Sequence, residues 1–104
     1  MPAREQGTVA LASLREEIDD LDARIVELLA RRMEVVERVV AIKDRDGIPA
    51  LLPGRVEEVV GRVRAKAEAA GMPPDLADAV WRRMIEWIVD YENARLDARG
   101  TSGP

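Results

Sequence analysis

The 104-residue sequence predicts an all-α fold of three helices, one long and two shorter. Apolar residues recur at steps of three and four along most of the chain, and no segment alternates between apolar and polar residues as a strand would. Glycine and proline cluster in two places, at 47–54 and 71–74, where they are expected to end one helix and begin the next.

The first helix is predicted from about Ala10, or from slightly later if Ser13 and Glu16 form a capping box, to about Asp44 or Asp46. Its apolar stripe consists of Leu11, Leu14, Ile18, Leu21, Ile25 and Leu28, and it resumes near Val35. Such a helix is about 50 Å long at 1.5 Å per residue, which is too long for a compact monomer of this size. Because the stripe would project beyond the other helices, we expect an intertwined homodimer joined through helix 1.

The two shorter helices follow the breaks. Helix 2 is predicted from Pro53, a favoured first residue, to about Ala70, and Gly71 suits its end. Helix 3 then runs to about Ala98. Its recurring apolar positions are Leu76, Val80 or Trp81, Met84, Ile85, Ile88 and Tyr91. The helical domain is thus predicted over 10–98, with flexible tails at 1–9 and 99–104.

Composition excludes several functions. Twenty acidic residues against sixteen basic ones give a net charge of −4, which argues against binding nucleic acid. No apolar run approaches the roughly 18 residues of a membrane span, and the N-terminus lacks a signal-peptide core, so a cytoplasmic protein is expected. With no Cys, no His and no phosphate-binding loop, we predict no metal and no cofactor, and any chemistry must need neither a metal nor a nucleophile.

Charged residues interrupt the apolar faces. Arg32 and Lys43 are eleven residues apart, about 20° around a helix and about 16 Å along it, so they share the apolar face of helix 1. Glu92 continues the stripe of helix 3, and Arg55 begins helix 2. Each residue alone could pair with a neighbour or extend to water. Together, buried cations among aliphatic residues favour a small anionic ligand as the counter-ion.

Arg15 indicates how such a site would be shared. It precedes Arg32 by seventeen residues, about 26 Å on a continuous helix, which is beyond the joint reach of two arginine side chains onto one small molecule. If both residues serve one site, Arg15 must come from the other subunit.

Three segments, "LREEIDDLDARIVELLARRMEVVERVVAIK", "GIPALLPGRVEEV" and "MIEWIVDYEN", resemble the small all-helical chorismate mutases over roughly residues 11–96. The resemblance implies an isomerase that converts chorismate, a dicarboxylate, to prephenate. One C–O bond breaks as a C–C bond forms, with no proton transfer and no covalent adduct. Positioning and cationic stabilisation of the ether oxygen are sufficient for this reaction.

The resemblance also assigns roles. Arg15 would be supplied by the partner subunit, Arg32 would hold a substrate carboxylate, and Arg55 would be the helix 2 arginine of the site. Lys43 would bind a carboxylate and the ether oxygen. Glu92 falls where the family usually has a glutamine that hydrogen-bonds the same oxygen, a role that a carboxyl group fills only when protonated.

Two departures leave the substrate open. Val56 stands where the common enzyme has an acidic residue that accepts from the C4 hydroxyl, and Ile88 stands where a small serine is expected. The segment "PGRV" together with Glu92 resembles relatives that act on 4-amino-4-deoxychorismate, so both mutase substrates are retained. One alternative is an isochorismate–pyruvate lyase. Another is a non-catalytic helical dimer that partners a shikimate-pathway enzyme, and an active mutase could equally have a larger synthase as its partner.

Overall fold

The computed structural model describes the backbone of residues 3–100 and the side chains of residues 7–98. Over that range the fold consists of three α-helices without strands: α1 (Ala3–Asp46), α2 (Pro53–Ala70) and α3 (Pro74–Gly100). The all-α prediction is therefore confirmed for this part of the chain. The chain divides into two compact units, Met1–Arg38 and Val39–Pro104. None of the described helices combines the length and apolar composition needed to cross a bilayer.

The bounds of α2 match the prediction, whereas α1 begins seven residues earlier than predicted, at Ala3. The residues that follow Pro2 include Ala, Arg, Glu and Gln, which all have high helix propensity, so nothing stops the helix at Ala10. At the other end, α3 extends to Gly100 rather than Ala98. Residues 1, 2 and 101–104 of the predicted tails lie outside the described residues, and the predicted flexibility of both tails is untested.

The first unit carries an unpartnered apolar stripe. Within the single chain, six aliphatic side chains of α1 are each more than half exposed: Leu11, Leu14, Ile18, Leu21, Ile25 and Leu28. Contiguous apolar surface of this kind usually marks an interaction site. The stripe predicted from the sequence is present, and the homodimer predicted to cover it stays a prediction.

In the second unit, α2 packs against α3 through small side chains. Val60, Ala67 and Ala77 are almost completely buried, and small residues let two helices approach closely. The buried face of α3 runs from Ala77 to Ile88. Leu76, which the sequence placed on this face, is about half exposed in the single chain, and of the two alternatives Val80 and Trp81 the structure half-buries Trp81. The packed face of α3 therefore begins one residue later than the apolar pattern indicates.

Left-handed glycines end the first two helices. At Gly71 (φ 79°), the Met72 amide donates to the Ala67 carbonyl at 2.8 Å and the Gly71 amide to the Glu68 carbonyl at 3.2 Å, which completes a Schellman motif. Gly47 (φ 67°) follows α1 directly, and the Ile48 amide donates back to the Lys43 carbonyl at 2.9 Å. These conformations require glycine and reverse the chain after each helix.

A network of ion pairs joins α2 to α3 on the surface. The Arg82 guanidinium donates to both carboxylate oxygens of Glu57, each at 2.9 Å, and to Asp78 at 2.8 Å. Arg64 donates to Asp78 at 3.0 Å and to Asp75 at 2.9 Å. Hydrogen bonds from Arg82 hold the pKa values of Glu57 and Asp78 below their ordinary values of 4.5 and 3.8. Arg82 is thus the central cation of the network.

The network predicts that part of the stability of the fold is lost in acid. The folded-state pKa values of Glu57 and Asp78 are lowered. Their ion pairs therefore contribute to the free energy of unfolding at pH values above the ordinary carboxyl pKa values. This contribution is lost as the pH falls through the lowered pKa values. We expect Arg82→Gln to lower Tm at pH 7 by no more than a few degrees, since exposed ion pairs are weak. The deficit should shrink as the pH approaches about 3.

The matched control is Arg83→Gln, which removes the same charge from the next position of α3, where the guanidinium forms a long ion pair of 3.8 Å with Glu86. Thermal unfolding followed by far-UV circular dichroism at several pH values measures both variants. Equal Tm values for the two variants at pH 7, or an Arg82→Gln deficit that persists in acid, would contradict the prediction.

Candidate active site

Lys43 lies in the last turn of α1, with its side chain directed into the second unit. The side chain is only 11% exposed. Val40, one turn earlier on the same helix, is completely buried. A lysine in the last turn also lies at the negative end of the helix dipole. The sequence prediction of a cation on an apolar face is therefore confirmed for Lys43.

The loop between α1 and α2 closes over this ammonium group. Gly47 reverses the chain, and the Lys43 Nζ then donates a hydrogen bond of 2.7 Å to the Ala50 carbonyl. Ala50 is itself buried, at 5% exposure. A hydrogen bond of this length from a charged donor is a strong one, so Lys43 and the loop hold each other in place.

Glu92 of α3 completes the cluster from a position 49 residues along the chain. Its carboxylate oxygens lie 3.3 and 3.5 Å from the Lys43 Nζ. Glu92 is 5% exposed, and Ile88, one turn earlier, is also buried. Among the residues that the structure describes, Glu92 is the only charged one that is buried. Surface exposure, the simpler interpretation of this residue, is therefore wrong.

The Lys43 ammonium group lies at unequal distances from its two partners. The ammonium group makes its short bond with Ala50 and reaches the Glu92 carboxylate only at distances longer than the 2.7–2.9 Å typical of charge-assisted bonds. Removing one partner of a buried pair leaves the other charge uncompensated, which is costly. A buried ammonium group whose counter-ion is weakly held can give up part of that contact and donate to an incoming anion instead.

The other predicted site residues of the second unit are placed differently. Arg55 is exposed at the start of α2, where its Nη1 donates to the Glu58 carboxylate at 2.8 Å. Val56, the next residue, is half-buried. Ile88 is buried below Glu92 on α3. The structure thus brings Lys43 and Glu92 into contact and leaves Arg55 paired on the surface.

The two remaining arginines belong to the first unit. Arg15 is exposed and Arg32 is half-buried on α1. Their predicted convergence with Lys43, from two subunits, stays a prediction. Within the described part of the chain, no group of three or more acidic side chains is placed to hold a metal ion.

The Ala50 carbonyl is the one group of the cluster that the sequence did not reveal. A backbone acceptor has no residue-type signature, because any residue supplies it. The indirect signal was Gly47, since a left-handed residue after the helix returns the chain toward the last turn.

Comparison with known proteins identifies the family of the chain. Residues 14–93 match the family model described as chorismate mutase type II, and that span contains Lys43 and Glu92. The T-protein of Enterobacter agglomerans is 40% identical over 83 residues, which make up 80% of this chain and 22% of that protein. The chain therefore spans about a fifth of the length of that relative.

Two further relatives carry different names. The 4-amino-4-deoxychorismate mutase of Streptomyces venezuelae is 36% identical over 62 residues, 60% of each chain. The isochorismate pyruvate lyase of Pseudomonas aeruginosa is 32% identical over 80 residues, 76% of this chain and 77% of that one. The family model covers well over half of the sequence, and the chain belongs to the chorismate mutase type II family, a family of isomerases.

Proposed function

We propose that this protein catalyses a chorismate mutase reaction, the rearrangement of chorismate or of its 4-amino analogue to the corresponding prephenate. The observation that carries the proposal is the buried Lys43 ammonium, fixed by the Ala50 carbonyl at 2.7 Å. In this reaction negative charge grows on the ether oxygen as the C–O bond breaks. A preorganised cation in a site of low dielectric stabilises that charge without reorganising at the moment of reaction.

The substrate carboxylates need further cations. Arg32, which the eleven-residue spacing predicts on the same helix face as Lys43, is proposed to hold one carboxylate. Arg55 is proposed to turn from Glu58 toward the substrate, since an exposed ion pair of this kind is weak and easily exchanged. Val56 and Ile88 are proposed to line the site with apolar surface.

A homodimer is part of this proposal. The exposed stripe of α1 gives a reason for two chains to associate, and Arg15 lies within that segment. We propose that Arg15 of each chain completes the site of its partner. A cytoplasmic location and an association with a larger synthase stay predictions.

A lyase and a non-catalytic partner are the alternatives. The similarity to the Pseudomonas aeruginosa lyase supports the first, although the family model that matches residues 14–93 is named for the mutase. Incubating the purified protein separately with chorismate, 4-amino-4-deoxychorismate and isochorismate, and identifying the products, distinguishes them. Prephenate-type products support the proposal, salicylate with pyruvate indicates the lyase, and no conversion of any compound indicates a non-catalytic role.

Removing the cation should abolish most of the turnover. We expect Lys43→Met to lower kcat by about 10²–10³-fold, the usual loss when one stabilising group of a transition-state oxyanion is removed. Lys66→Met removes the same charge from an exposed position of α2 and should leave kcat unchanged. Circular dichroism checks that both variants are helical. A folded Lys43→Met variant with near-normal kcat would rule out the assigned role.

Glu92 should make turnover of chorismate depend on pH. To donate to the ether oxygen its carboxyl group must carry a proton, so the wild-type kcat is expected to rise from about pH 8 to about pH 5. The amide of Glu92→Gln donates at every pH, so this variant should show a flat profile. A wild-type profile that is flat over the same range would count against Glu92 as a donor.

The shared site can be tested by mixing inactive variants. Arg15→Ala and Lys43→Met should each be nearly inactive, but a mixed dimer would contain one site with both residues intact. Random exchange of subunits in an equal mixture should therefore restore about a quarter of the wild-type activity. If Arg15 serves its own chain, mixing restores nothing. Mixing Arg15→Ala with Arg15→Ala carrying Lys66→Met is the matched control.

A further inference from the structure

The Glu58 carboxylate on the surface of α2 is shared by two arginines. The Arg55 Nη1 donates to the Glu58 Oε1 at 2.8 Å, and the Arg62 Nη2 lies 3.0 Å from the same oxygen. All three side chains are about half exposed or more. Residues three and four positions apart lie on one face of a helix, so a single carboxylate lies between two guanidinium groups.

The two ion pairs of Glu58 are not equivalent. An acid that precedes its cation by four residues stabilises a helix more than the reverse order does. Glu58 precedes Arg62 in this way, whereas Arg55 precedes Glu58. Among the described residues, Glu58 is the only hydrogen-bond or ion-pair partner of the Arg55 side chain. When Arg55 leaves, Glu58 still has Arg62 as its counter-ion, so the loss of the Arg55 contact costs little free energy.

Arg55 lies beside the loop that covers Lys43. The Arg55 amide donates to the Leu52 carbonyl at 3.0 Å, which joins the first turn of α2 to that loop. The same loop supplies the Ala50 carbonyl that accepts from the Lys43 Nζ. Side chains of a helix point toward its N-terminus, which for Arg55 is the direction of the loop. A carboxylate bound near Lys43 would therefore compete with Glu58 for the Arg55 guanidinium.

From these contacts we infer that Glu58 is a positioning residue, which holds Arg55 away from the substrate in the free enzyme, and that Arg62 sets how readily Arg55 is released. This inference rests on the proposed mutase function, in which Arg55 turns toward the substrate. Substrate binding exchanges one carboxylate for another at the Arg55 guanidinium, while Glu58 keeps its ion pair with Arg62. Because the competition occurs only in the free enzyme, it acts on KM and leaves kcat unchanged.

The test measures KM and kcat in two variants with opposite expected effects, with chorismate or, if the wild type converts only that compound, its 4-amino analogue. Glu58→Gln removes the competing carboxylate and should lower KM about two- to fivefold, the change in equilibrium that corresponds to one exposed ion pair. Arg62→Gln removes the second counter-ion of Glu58, which should then hold Arg55 more firmly, so KM should rise about twofold. In both variants kcat should equal the wild-type value.

A double variant separates this exchange from a general effect of charge on an anionic substrate. Arg62 should matter only while Glu58 is present, so Arg62→Gln added to Glu58→Gln should leave KM at the value of Glu58→Gln alone. A general electrostatic effect would instead raise KM equally in both backgrounds. Glu68→Gln and Lys66→Gln are the matched controls, since they remove the same charges from other exposed positions of α2 and should leave KM unchanged.

The outcomes separate this inference from the proposed function. If the wild type converts neither mutase substrate, the proposed function fails and the inference fails with it. If the wild type is active and folded Glu58→Gln has an unchanged or higher KM, the mutase proposal stands and the inference is wrong. A rise in KM for Arg62→Gln that persists without Glu58 overturns it equally. Should Glu58→Gln not fold, Arg62→Gln decides, because its KM must exceed that of Lys66→Gln.

Discussion

Burying an ammonium group is unfavourable in free energy unless the group is hydrogen-bonded. This constraint determines which residues of the second unit surround Lys43. Lys43 meets the requirement with a backbone carbonyl from the loop that follows its own helix and with a carboxylate from α3. Both contacts depend on chain reversals, the first at Gly47 and the second at Gly71. The end of α1, the loop and α3 are therefore positioned around one cation.

The packing of α2 on α3 supports this arrangement without taking part in it. Small buried residues such as Val60 and Ala77 let the two helices approach, while Arg82 and Arg64 tie their surfaces together. The surface ion pairs and the buried ion pair contribute differently to stability. The surface pairs are hydrated and individually weak, whereas the contact of Lys43 with Glu92 lies in a region of low dielectric, where the loss of either partner is costly.

Membership in the chorismate mutase type II family is compatible with the absence of cysteine and histidine from the sequence. A pericyclic rearrangement requires that the substrate be held in a reactive shape and that charge on one oxygen be stabilised. In the proposed reaction the buried Glu92 carboxylate beside Lys43 has two opposing effects, since it holds the lysine in place and would repel the negative charge that the lysine is proposed to stabilise.

The sequence by itself determined the helices, because the positions of apolar residues, prolines and glycines are local signals. The bounds of α2 and the charged positions Lys43 and Glu92 follow from them, and the start of α1 was missed because its first residues have high helix propensity but no apolar pattern. Only the tertiary structure decided which residues meet. It placed Ala77 rather than Leu76 on the packed face of α3, it left Arg55 on the surface, and it brought Ala50 and Glu92 to one ammonium group. These contacts depend on the angle of each chain reversal and on the rotation of each helix about its axis, and periodicity within one helix does not specify either.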